Sequence, residues 1–102
     1  MDMALDSIAV GPFDIRATSA VYPEEYDVFL RGRQVAFVRV GRWWLRVDVP
    51  EYGGTTITWR ELDEADASHD GPRSPERLEM LGEIADSILL YYASTGDSLF
   101  RA

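Results

Sequence analysis

The chain has no cysteine, no lysine and a single histidine, His69. Without cysteine there can be no disulfide, no thiolate nucleophile and no zinc–thiolate centre. The missing lysine leaves all ten basic residues as arginine, which reads first as GC-rich coding and second as a salt-adapted, acid-coated surface. Long apolar runs are missing too, and none approaches the ~20 residues that a bilayer-spanning helix needs. The first residues include Asp2 and Asp6, acids where a secretory leader requires basic side chains. These absences together predict a cytoplasmic protein with no membrane segment.

What is present suits one domain with one core, since 102 residues with 46% hydrophobic and 27% charged side chains are ordinary for a globular protein. The net charge of -8 is unevenly spread. Residues 1–30 hold six acids and one Arg, residues 31–60 hold six Arg against Asp48 and Glu51, and residues 61–86 hold nine acids against Arg73 and Arg77. A basic middle between two acidic flanks bears on partner choice rather than on fold.

Residues 13–22 alternate apolar and polar, the period of a half-buried strand. Residues 26–31, 34–40 and 43–49 are further strand-like runs rich in Val, Phe and Trp, and 55–60 reads as one more. Gly32-Arg33 and Gly41-Arg42 separate the central runs as two-residue type II′ turns, for which Gly at the first position is suited. Ser74-Pro75-Glu76 then opens a helix over 75–94: Ser as N-cap, Pro at the first helical position and an acid in the first turn. Leu78, Leu81, Ala85, Ile88 and Tyr92 form its apolar stripe, widened by Ile84 and Leu89. The expected fold is α+β: an antiparallel meander of four to five strands, curled and packed on one C-terminal helix.

The turn placement assigns the faces, because directly paired residues point the same way. Phe29, Ala36, Val38, Val40, Trp43, Leu45, Val47 and Val49 should meet the helix. Tyr26, Val28, Leu30, Val35, Phe37, Arg39, Trp44, Arg46 and Asp48 should form a second face mixing aromatics with arginine. Either residues 1–22 fold back over that face, or it is a partner surface, with Arg39, Trp44 and Arg46 as its anchors. Base stacking on it is opposed by the acidity of the chain.

No motif carries catalysis. His69 stands alone in a polar loop, and the acids Asp63, Glu64, Asp66 and Asp70 around it lack the spacing of a calcium loop. A metal-dependent enzyme built on residues 63–70 is the weakest alternative. No nucleophile elbow or phosphate loop is present. The expectation is a protein that is not an enzyme, with no cofactor and no metal. By contrast Glu76, Glu79, Glu83 and Asp86 step by three, four and three along one helix face. With Glu61, Asp63, Glu64, Asp66 and Asp70 before them, they define the expected partner-binding surface, suited to a basic surface on another protein.

The stretch Tyr26 to Val40, followed by Arg42 to Val47 and Pro50-Glu51-Tyr52-Gly53-Gly54, resembles a group of small acidic proteins of phages and mobile elements. That group shows a strand, a Gly-basic turn, a strand with an Arg, a Trp-containing turn, then Pro-acid-x-Gly-Gly, and it closes with an acidic linker and a helix similar to 75–90. The resemblance covers residues 26–90 and implies an inhibitor of host defence, such as an anti-CRISPR protein that occupies a basic nucleic-acid site in the host cytoplasm and touches no nucleic acid itself. A homodimeric structural or assembly protein joined through the aromatic sheet face is the alternative.

Overall fold

The computed structural model describes residues 6–19, 23–63 and 74–95. Six antiparallel strands follow one another in chain order: β1 (Asp6–Val10), β2 (Phe13–Ser19), β3 (Glu24–Leu30), β4 (Arg33–Val40), β5 (Trp44–Val49) and β6 (Thr55–Glu61). One helix, α1 (Pro75–Thr95), closes the order. The fold is α+β as expected, an open antiparallel sheet packed with one C-terminal helix, with six strands rather than four or five.

The additional strand is β1, which pairs with β2 through Val10↔Phe13 across Gly11-Pro12. Gly11 has φ 57, a left-handed conformation that costs glycine nothing. The described N-terminal residues therefore extend the sheet sideways instead of folding back over its second face. Residues 20–22, the predicted end of the first strand run, lie outside the described residues, as do Glu64, Asp66, His69 and Asp70.

Both central turns sit one residue away from their predicted positions, with different consequences. The first is Arg31-Gly32, closed by Leu30↔Arg33. Its residues have φ 53 and φ 83, and positive φ at both central positions is the requirement of a type I′ rather than a type II′ turn. With a bulge opposite Val28/Phe29, the register becomes Tyr26↔Val38 and Val28↔Ala36. This odd-residue shift turns β3 over. Tyr26, Val28, Leu30 and Val35, expected outside, are core, while Phe29 moves to the open face. The second turn is Arg42-Trp43, held by the Gly41 N–H donating to the Trp44 carbonyl at 2.9 Å. Here the register changes by two, to Val40↔Leu45, so the faces survive and only Trp43 is lost from the core, at 52% exposed.

The helix-facing side carries Ile8, Ile15, Ala17, Val28, Val38, Val40, Leu45 and Val47, all buried. Against them α1 buries Met80, Leu81, Ile84, Ala85, Ile88 and Tyr92, each large side chain contributing roughly 1.5–3 kcal/mol. Tyr92 donates to the Val35 carbonyl at 2.7 Å, pinning the last helical turns to β4. Ser74 caps the helix as expected, its Oγ accepting from the Arg77 N–H at 3.3 Å. Leu78, predicted in the stripe, is exposed, and Arg77 is buried in its place.

That arginine is neutralised inside the core. Arg77 Nε and Nη2 reach Glu24 Oε1 and Oε2 at 3.0 and 2.9 Å, and both side chains are 0% exposed. The Tyr26 hydroxyl also donates to Glu24. Burial, with that hydrogen bond to an anion, pushes the Tyr26 phenol far above its ordinary range, so it stays a donor. The cluster ties the start of α1 to the start of β3.

Candidate functional site

Two surfaces remain after the core is accounted for, one on each side of the molecule. On the helix side, Glu76, Glu79, Glu83 and Asp86 are all exposed. At about 100° per residue they fall in a stripe opposite the buried one, so the helix cannot bury its apolar side without presenting them outward. Glu83 accepts from Arg60 Nη2 at 3.3 Å, which fastens the ridge to β6. Leu90 continues the same stripe one turn beyond Asp86 and is 71% exposed. It borders a shallow groove of about 300 Å³ shared with Ile57, Thr58, Ser87, Tyr91 and Ser94. The ridge is thus acidic along its first three turns and apolar at its end.

The strand and linker acids do not all join this ridge. Glu61 pairs with Trp44 and shares its face, whereas Arg60, paired with Leu45, lies on the helix side. Glu61 therefore belongs to the open sheet face. Asp63 is exposed just past β6, and the remaining three acids of the predicted site, Glu64, Asp66 and Asp70, are among the residues not described.

The open face is ordered in rows set by the register. One row runs Ser7, Arg16, Asp27, Phe37, Asp48, Thr56; the next runs Glu25, Arg39, Arg46, Trp59. Arg39 Nε lies 3.0 Å from Glu25 and Arg46 Nε lies 3.4 Å from Asp48. Neither Nε–H makes a directed hydrogen bond, so the attraction is by charge. Burial is the main cause that raises the Asp27 carboxyl, with Glu25 adding to it and a hydrogen bond from Gln34 opposing.

Tyr52 completes this face, and sequence reasoning had overlooked it. Its ring stands edge-on to Phe37 with centroids 5.2 Å apart, and both the Arg39 and Arg46 guanidinium carbons lie 5.6 Å from its centroid. Buried Asp48 puts it there: Oδ2 accepts from the Gly53 N–H at 3.1 Å and Oδ1 from Thr56 Oγ1 at 2.7 Å. Gly54 must be glycine, because a Cβ would overlap the Val49 carbonyl. The signal was in the sequence as Pro50 to Gly54, though nothing there said which way the loop folds. Trp44 is constrained similarly, since its indole packs on Gly41 where any Cβ would collide with it. A cleft of about 420 Å³ opens beside Tyr52, between Thr18, Glu25, Asp27 and Arg39.

Among the described residues no helix is long and apolar enough to cross a membrane. No family model matches the chain, and neither a curated protein nor a solved structure does so.

Proposed function

We propose that this chain is a non-catalytic inhibitor that binds another protein, its acidic helix face occupying a basic nucleic-acid site on the target, as a phage-encoded anti-CRISPR protein would in the host cytoplasm. The observation that carries the reading is the ridge Glu76, Glu79, Glu83 and Asp86, exposed on a helix whose opposite side is fixed in the core. Carboxylates held at regular steps on a rigid element lose little conformational freedom on docking, and their field speeds encounter with a cationic groove. Leu90 at the end of the ridge supplies an apolar contact beside the charges.

The test is displacement of labelled target DNA from a panel of purified CRISPR effector complexes. Wild type should displace the DNA from at least one complex, with potency falling as salt rises. The variant Glu76→Lys, Glu79→Lys, Glu83→Lys should lose that potency while keeping its helical circular dichroism. Displacement from none of the complexes, or equal potency of variant and wild type, rejects the proposal.

A further inference from the structure

The trough between β6 and α1 has a cation at one end and carboxylates at the other, and we infer that it binds the C-terminal segment of a partner protein in extended form. The two elements run in opposite directions along it. Arg60 meets Glu83 near one end, and Thr55 and Thr95 line the same cavity at the other. That cavity, of about 430 Å³, also takes in Arg33, Pro50 and Tyr91. Tyr91 borders the groove of Ile57, Thr58 and Leu90 as well, so the two hollows adjoin. Ile57 enters the groove beside Thr58 because it is the extra residue of a bulge, where the register steps from Val47↔Thr58 to Asp48↔Thr56.

Charge sets the direction of the occupant. Arg33 and Asp86 are both exposed, and neither makes an ion pair among the described residues. A guanidinium takes a carboxylate through two parallel hydrogen bonds, which places the chain terminus at Arg33. Asp86 and Glu83 suit a basic side chain at the other end. From Asp86 to Thr95 the helix rises about 13 Å, at 1.5 Å per residue. An extended chain covers that distance in four steps of ~3.3 Å, with alternate side chains pointing the same way. The terminal residue then meets Pro50 and Tyr91, the second before it meets Ile57 and Leu90, and the fourth before it meets Asp86. The occupant is therefore basic, any, apolar, any, apolar, carboxylate. β6 is the last strand of the sheet, so its outer backbone edge pairs with no described strand and lies beside such a segment on both sides of the bulge. The site goes beyond the inhibitor reading: it shares Glu83, Asp86 and Leu90 with the ridge, whereas Arg33 lies outside it.

Fluorescence anisotropy of the peptide fluorescein-Gly-Arg-Thr-Leu-Thr-Val, titrated with the intact chain, tests it. With a free carboxylate the peptide should bind with a Kd of about 10–100 μM. Its C-terminal amide should bind about 10-fold more weakly or worse, and so should the peptide with Glu in place of its Arg. On the protein side, Arg33→Glu and, separately, Leu90→Asp should each weaken binding by about 10-fold or more, with the urea midpoint retained. The assay contains no CRISPR complex, so its failure leaves the inhibitor reading standing, and a failed displacement leaves the peptide result standing. No binding of the free acid at about 500 μM chain overturns the inference. So does equal binding of acid and amide, or of Arg33→Glu and wild type. A chain that sediments as a dimer and excludes the peptide assigns the trough to a second copy, which also overturns it.

Discussion

Replacing Arg77 by Met should be among the most damaging single changes available to this fold. The side chain it removes is 0% exposed and bonds Glu24 through two nitrogens, at 3.0 and 2.9 Å. The variant keeps the volume but leaves the Glu24 carboxylate buried without its cation. Breaking one partner of a buried pair costs about 3–5 kcal/mol, set against a total of roughly 5–15 kcal/mol for a domain of this size. With a urea m-value of ~1.5 kcal/mol/M, the midpoint should fall by about 2–3 M. Replacing the whole cluster with apolar residues, as Glu24→Leu, Tyr26→Phe, Arg77→Met, removes the stranded charge and the stranded hydroxyl together. That triple variant should return to within about 1 kcal/mol of wild type or exceed it. Urea unfolding followed by circular dichroism gives both numbers. An Arg77→Met cost below about 1 kcal/mol, or a triple variant as unstable as the single one, refutes the reasoning.

Two further outcomes follow from the open face and its margin. Because burial raises the folded-state pKa of Asp27 above its unfolded value of ~3.9, the native state binds that proton more readily, and this residue's contribution to stability falls as pH rises through the window between the two values. Asp27→Asn keeps an oxygen for Gln34 and removes the titration, so its stability relative to wild type should climb between pH 3 and 7; a difference flat across that range refutes the assignment. Gly41→Ala should push the Trp44 indole off the backbone and cost about 1–3 kcal/mol as overpacking. A Trp44 indole N–H resonance that does not move in the variant would contradict that packing.

The parts of this molecule legible in its sequence are those decided by neighbours along the chain. The helix was readable because Ser74, Pro75 and Glu76 are local signals and the apolar spacing is periodic, and it runs Pro75–Thr95 against an expected 75–94. The exposed carboxylates followed from the same periodicity. Face assignment failed on β3 because a single bulged residue at Val35 decides it, and no local signal marks a bulge there. Moving the turn from Gly32-Arg33 to Arg31-Gly32 changes the register by two and keeps the faces; the bulge beside it adds the odd residue that turns over the strand from Glu24 to Leu30. Composition offered a warning that was missed, since Tyr26, Val28 and Leu30 are three large apolar side chains in alternation with Asp27 and Phe29. Placing the apolar set inward would have given the correct register without any turn rule.

Arg77 marks the other boundary of sequence reasoning. A charged residue between Glu76 and Leu78 reads as part of a solvated helix face, and only its partner overturns that. The partner stands 53 positions earlier, on a strand whose face was itself misassigned, so the two errors are one. With β3 inverted, Glu24 would point into solvent and Arg77 could not afford burial. With β3 in its observed register, Glu24 lies in the row of Val40 and Leu45 beneath the start of α1, and a cation must be supplied there. The register of one hairpin therefore decides two things together: which face of β3 is core, and why an arginine can enter that core.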